Sequence, residues 1–172
     1  MDVLAHVTGK ARAAKEAARA LALASTRSKN DALQQMARGL EEKTGLVLDA
    51  NRSDLARARS AGLASAFMDR LTLSESRIEE MAAGLRQVAA LPDPVGETAE
   101  AWRRPNGMEI SRVRVPLGVV GFIYESRPNV TADAAGLCLK SGNAVLLRGG
   151  STALPDFRQS PAASAVTLGR DS

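Results

Sequence analysis

The spacing of apolar residues changes once along this chain, near residue 97, and that change limits the folds open to it. Before it, apolar residues recur every three or four positions, which is the stripe of a helix packed on one side. After it they alternate or run continuously, as strands do. A helical stretch followed by strand, helix and strand reads as α/β.

The helical part divides into at least four helices. Val3 to Ala24 places Val3, Val7, Ala11, Ala14, Ala18 and Leu21 on one stripe, with Lys10, Arg12, Lys15, Glu16 and Arg19 largely off it. Ser25 to Ser28 supplies stop and N-cap chemistry. A second helix over about Lys29 to Lys43 buries Leu33, Met36, Ala37 and Leu40; a third, Leu46 to Arg59, turns Val47, Leu48, Leu55 and Ala58 inward. Thr72 with Glu75 forms a candidate capping box, and Ser74 is an alternative cap. The helix beyond it buries Ile78, Met81, Ala82, Leu85 and Val88, and Leu91-Pro92-Asp93-Pro94 ends it.

Pro105-Asn106-Gly107 signals a tight turn. Met108 to Val115 alternates after it and Trp102 precedes it, so a two-stranded ribbon starts within Glu100–Gly107. Such a ribbon is marginal alone and reads as an arm lying on another subunit. Val119 to Tyr124 is a continuous apolar run, expected of a parallel strand buried on both faces. Asn129 or Thr131 can cap a helix reaching Lys140, with Ala134, Ala135, Leu137, Cys138 and Leu139 largely apolar. Gly142 suits the left-handed position after that helix, and Ala144 to Arg148 is a second strand. The result is one βαβ unit with a right-handed crossover.

Composition removes several function classes. The 172 residues fit one domain, or one domain with an arm. No apolar run approaches the ~20 residues that span a bilayer, and the N-terminus lacks the pattern of a secretory signal. One cysteine and one histidine argue against a disulfide framework and a Cys- or His-based metal site. A reducing, cytoplasmic setting is expected. Residues 1–100 carry 14 basic and 14 acidic side chains, so the net +4 lies wholly in residues 101–172. That asymmetry suggests an anionic ligand or a basic surface. Aromatics at 3% leave little for base stacking, which argues against nucleic acid.

Ligands of such sheets bind beyond the carboxyl ends of the strands. Two loops lie there, Glu125 to Asn129 and Arg148 to Ser151. The GxGxxG fingerprint is absent. A basic residue at the end of the second strand accepts a ribose 2′-phosphate where an acidic one would hold the ribose hydroxyls. Arg148 stands there and favours NADP; an ion pair at the sheet edge is the equal alternative.

Residues 112–151 resemble gamma-glutamyl phosphate reductase (glutamate-5-semialdehyde dehydrogenase), through YESRPN, LCLKSGNA and LRGGS in order and at that family's spacing. Asn51, Asp54 and Leu55 in NRSDLARARSAGL, Asp69-Arg70-Leu71, RIEEMAAGLRQVAALPDPVGE and Trp102 with the PNG turn agree, so the likeness covers residues 1–151. It implies the N-terminal part of an aldehyde dehydrogenase-like fold: a helical part of the cofactor-binding domain (1–97), a β-ribbon arm of oligomerisation type (98–117) and the first βαβ unit of the dinucleotide-binding sheet (118–151). It implies NADPH-dependent reduction of L-glutamyl 5-phosphate to L-glutamate 5-semialdehyde and phosphate, in proline biosynthesis. Implied partners are the small-molecule substrate, further copies of the full-length enzyme, and glutamate 5-kinase. The resemblance places Tyr124, Glu125, Ser126, Arg127 and Pro128 at the nicotinamide end, with Asn129 as an oxyanion candidate. It places Arg148, Gly149 and Ser151 near the adenosine ribose.

Two departures accompany it. The family's nucleophilic cysteine lies beyond residue 151, and Cys138, on the crossover helix, is expected to act as a small buried hydrophobe. Residues 152–172 do not resemble the family and read as a poorly ordered tail, as a shift of reading frame after Ser151 would produce. The chain is therefore expected to be inactive alone. A related acylating aldehyde dehydrogenase and a non-catalytic helical interaction module are the competing readings; YESRPN argues against the first.

Overall fold

A computed structural model describes residues 2–125 and 127–149. The expectation of a poorly ordered tail from residue 152 lies outside them. Five helices come first: α1 (Val3–Ala22), α2 (Thr26–Glu42), α3 (Thr44–Ser60), α4 (Ser65–Leu71) and α5 (Glu75–Ala90). Strands β1 (Thr98–Arg103) and β2 (Glu109–Val113) follow, then β3 (Val119–Ile123), α6 (Pro128–Lys140) and β4 (Ala144–Arg148). The change of period near residue 97 is thus the boundary between helices and strands.

The caps follow from side-chain oxygens meeting free backbone N–H groups. Ser25 caps α2 by accepting from the Ser28 N–H at 3.1 Å, and Ser74 caps α5 by accepting from the Arg77 N–H at 3.2 Å. The Thr72 hydroxyl instead donates to the Met68 carbonyl, so Ser74 is the cap and the Thr72 box does not form. At α6 the expected caps are both displaced. Pro128 takes the first helical position, where its missing N–H and fixed φ cost nothing, and Arg127 becomes the N-cap residue. Thr131 turns its hydroxyl to Tyr124.

The core is the seam between α2, α5 and α6: Leu33, Ala37, Leu40, Ile78, Met81, Ala82, Leu85, Ala89 and Ala132. Gly136 is the point of closest approach, since a Cβ there would lie 2.8 Å from Leu85 Cδ2. The stripe of α1 is only half used. Ala18 is buried and Ala11, Ala14 and Leu21 partly so, whereas Val3 and Val7 face solvent. On α3 the inner face is more polar than expected, with Asn51 and Asp54 buried beside Ala58. The Asn51 amide donates to the Leu71 carbonyl at 2.8 Å and its oxygen accepts from the Leu73 N–H at 2.9 Å, which fastens both sides of the α4 C-terminus.

A second polar group lies inside the helical layer. Lys29, 2% exposed, holds both Asp93 carboxylate oxygens, at 2.8 Å and 2.6 Å. The Thr26 hydroxyl and the Val95 N–H also donate to that carboxylate. Opposing its burial, these contacts hold the Asp93 pKa down at about 2. Lys140, 3% exposed, donates to Asn30 Oδ1 at 2.6 Å and the Ala89 carbonyl at 2.9 Å. Its pKa lies below the ordinary value, chiefly through burial; the Asp93 charge opposes that shift and the Lys29 charge adds to it.

β1 and β2 pair antiparallel with a register irregularity between Thr98 and Glu100. Gly107 occupies the left-handed region at φ +86°, as the turn between them requires. Except for half-buried Ile110, both strands are exposed throughout. β3 and β4 pair parallel, Val119 opposite Ala144 through Ile123 opposite Arg148. The expectation that β3 is buried on both faces is not met: Val119 and Val120 are half-buried, while Phe122 and Ile123 face solvent. The described residues place only β4 beside β3, so most of the apolar run lacks cover.

The turn into β4 fixes the pairing. Gly142 sits at φ +72° after α6, with room for a hydrogen but not a methyl: a Cβ would come 2.9 Å from Pro116 Cγ. Asn143 Oδ1 accepts from the Gly118 N–H at 2.8 Å, and the Ala144 N–H donates to the Gly118 carbonyl at 2.9 Å.

Candidate functional site

Because Ile123 lies opposite Arg148, the chain leaves both strands at the same edge. This is the carboxyl end, where backbone groups and loops of a parallel sheet converge on ligands. The Tyr124 N–H donates to the Arg148 carbonyl at 3.1 Å. The Tyr124 hydroxyl lies 2.5 Å from that of Thr131, which ties the first loop to the second turn of α6. Gly149 closes over the same ring; a Cβ there would sit 3.7 Å from Tyr124 Cζ and Oη. One aromatic side chain thus joins both loops and the crossover helix.

Glu125 points outward and pairs with Arg70 of α4 at 3.0 Å, with Arg127 Nε at 4.0 Å from the same oxygen. The Arg127 N–H donates to the Glu125 carbonyl at 2.7 Å, just ahead of α6. Pro128 is buried and Asn129 exposed, both in the first turn of α6. That turn contains no acidic residue, so the positive end of the helix dipole at the sheet edge is uncompensated from within it. Arg148 is exposed and forms no ion pair among the described residues, so the edge salt bridge considered for it is absent there. Ser126 and Ser151 lie outside the described residues. The structure therefore brings together Tyr124, Glu125, Arg127, Pro128, Asn129, Arg148 and Gly149.

Two residues at this edge were not singled out as site residues from the sequence. Thr131 looked like a cap, and Arg70 appeared only within Asp69-Arg70-Leu71. Arg70 reaches Glu125 across 55 positions of chain, so no local pattern could reveal it.

Cys138 is buried on α6, and burial raises its thiol pKa, which disfavours the reactive thiolate. Among the described residues no group of three or more His, Cys, Asp or Glu side chains could hold a metal ion, and no helix is long and apolar enough to cross a membrane. Two shallow depressions of about 430 and 550 Å3 lie elsewhere. The first is lined by Asp2, Leu4 and Arg12 of the α1 start; the second lies between α1 and Pro116–Val119, at the amino end of β3. Neither has the converging polar groups of the carboxyl edge.

No protein-family model matches the chain. Among curated proteins, it is 60% identical over 153 residues to a gamma-glutamyl phosphate reductase of Moorella thermoacetica, covering 89% of this chain and 37% of that protein. It is 59% identical over 145 residues to that of Syntrophomonas wolfei, covering 84% of this chain and 35% of that one. Among solved structures, gamma-glutamyl phosphate reductase of Thermotoga maritima superposes with a TM-score of 0.86 at 46% identity, over 92% of this chain and 38% of its own. The Saccharomyces cerevisiae enzyme superposes with 0.84 at 36% identity, over 91% and 39%. The chain spans little more than a third of the length of these relatives. Sequence and fold agree over the same residues, and over them the chain matches the N-terminal part of gamma-glutamyl phosphate reductases.

Proposed function

We propose that this chain forms part of the nicotinamide-cofactor crevice of an enzyme that reduces L-glutamyl 5-phosphate to L-glutamate 5-semialdehyde and phosphate with NADPH, in proline biosynthesis. The observation that carries this reading is the register of β3 on β4, which sets Tyr124 and Arg148 side by side at the carboxyl edge of a parallel pair. The residues present suit a phosphorylated dinucleotide. Arg148 is exposed with no carboxylate partner among the described residues, and the first turn of α6 carries no acid. Arg148 would hold the ribose 2′-phosphate, with Gly149 and Ser151 completing that side. Tyr124, Glu125, Ser126, Arg127 and Pro128 would line the nicotinamide side, and Asn129 could donate to a developing oxyanion. When bound, the cofactor supplies the hydride.

Catalysis by attack of a thiolate on the acyl phosphate needs an accessible, acidic thiol. The sole cysteine, Cys138, is buried with a raised pKa, so this chain is proposed to bind cofactor without turnover. A cytoplasmic setting, assembly of full-length subunits through the ribbon and contact with glutamate 5-kinase are proposed on the same reading.

The test is titration of the purified chain with NADP and with NAD, before and after Arg148→Glu. A charge-assisted contact to phosphate is worth roughly 1.5–3 kcal/mol, so NADP affinity should fall by about 10- to 100-fold and NAD affinity little. Equal losses for both cofactors would make Arg148 structural and remove the reading's support.

A further inference from the structure

Arg70 has no part in the cofactor reading, yet it is aimed at the same edge. Its Nη1 lies 3.0 Å from Glu125 Oε2, and Arg127 Nε lies 4.0 Å from that oxygen. Two guanidinium groups thus face one carboxylate, leaving an excess positive charge next to the dipole-positive start of α6. All three side chains are about half or more exposed, so an anion from solvent can reach them. Their setting is nevertheless fixed. Asn51 fastens the chain at Leu71 and Leu73, and the Arg77 guanidinium donates to the Asp69 carbonyl at 2.8 Å and to the Thr72 carbonyl. The Asp69 carboxylate, the acidic neighbour of Arg70, is directed to Arg77 at 3.6 Å and does not compete for Arg70.

We propose that Arg70 and Arg127 form a subsite for a phosphate-bearing anion, in which Glu125 is the resident counter-ion that an incoming phosphate replaces. The guanidinium fork matches phosphate oxygens as well as carboxylate oxygens, so the exchange keeps the donors satisfied while Glu125 turns to water. The phosphate could belong to the acyl-phosphate substrate or to the pyrophosphate of the cofactor; naming either rests on the reading above, whereas the anion subsite itself does not.

Inorganic phosphate is the probe, titrated into the full chain and followed by amide chemical shifts. Glu125→Gln removes the competing charge and should tighten phosphate binding. The gain should be about three- to fivefold at low salt, the scale of a partly exposed ion pair, and should shrink as ionic strength rises. Adding Arg70→Gln to Glu125→Gln should abolish the gain, and Arg70→Lys should restore part of it. These side chains are exposed, and an unchanged helical circular dichroism spectrum confirms that each variant folds. Phosphate affinity that stays the same or falls in Glu125→Gln overturns the proposal, as does a gain that survives the loss of Arg70. Saturating NADP separates the sources: competition with phosphate in Glu125→Gln assigns the subsite to the cofactor, and simultaneous binding assigns it to the substrate. NADP binding that depends on Arg148, without a phosphate gain in Glu125→Gln, refutes the subsite and leaves the cofactor reading standing.

Discussion

Asp93→Asn is the perturbation with the largest expected effect on folding. The carboxylate sits between Lys29, which is almost wholly buried, and the Thr26 hydroxyl, with Lys140 close enough to feel its charge. The substitution preserves shape and removes the negative charge, leaving the buried Lys29 ammonium without its counter-charge. Breaking a buried pair from one side costs about 3–5 kcal/mol, against a total stability of about 5–15 kcal/mol for an ordinary domain. Acid should reproduce part of this loss in the unaltered chain. The Asp93 pKa falls from 3.8 to about 2 on folding, which at about 1.36 kcal/mol per unit amounts to about 2 kcal/mol. A carboxyl whose folded pKa is depressed stabilises above its unfolded pKa, and the stabilisation disappears as pH falls from about 4 through about 2. Urea unfolding at neutral pH and at several values between pH 4.5 and 2 measures both effects. The unaltered chain should lose more stability than Asp93→Asn over that interval, so the two curves converge in acid. Replacing Lys29 and Asp93 together by Met and Leu should recover most of the loss, because apolar groups of similar volume need no counter-charge. A loss below about 1 kcal/mol in Asp93→Asn, with curves that stay parallel through acid, would refute the assignment of a buried, charge-balanced Lys29–Asp93 pair.

Gly142→Ala should destabilise by on the order of 1–3 kcal/mol in the same unfolding assay, through its positive φ and the approach to Pro116. Asn51→Ala leaves the Leu71 carbonyl and the Leu73 N–H without partners, at about 1–3 kcal/mol each if neither finds water. Faster amide exchange across 65–73 would report it. Cys138 should resist thiol-specific reagents at pH 8 in the folded chain and react readily in urea, because burial holds the thiol protonated; equal rates would place it at the surface.

Elements whose own residues carry their signal were legible in the sequence. The stripes of α2 and α5 named Leu33, Ala37, Leu40, Ile78, Met81, Ala82 and Leu85, and all are buried. The ribbon, the parallel pair and Gly142 also followed from period and turn chemistry. Other features depend on partners distant in the chain. α4 is seven residues long without a side-chain cap, and it is held by Asn51, some twenty positions earlier. Lys29 stands at the start of one helical stripe and Asp93 in the stop signal of another, and only the fold joins them, across 64 positions. At the candidate site, YESRPN and LRGGS mark where the chain leaves β3 and β4. The Tyr124–Thr131 and Arg70–Glu125 contacts needed coordinates, because a loop sequence does not state which helix it leans on.

Asn143 acts on the far end of the molecule without approaching it. Its side chain grips the backbone just before β3, and the residue after it begins β4. Together they set the phase of one strand against the other. A strand can slide past its neighbour only in whole residues, each about 3.3 Å, and every single step turns inward side chains outward. Had β4 entered one residue late, Leu147 rather than Arg148 would lie opposite Ile123, and Arg148, carried on to a place opposite Tyr124, would turn its side chain to the other face of the pair. An amide at the amino end of the sheet therefore indexes which side chain is presented at the carboxyl end. A substitution there would alter what the crevice displays while touching none of the residues that line it.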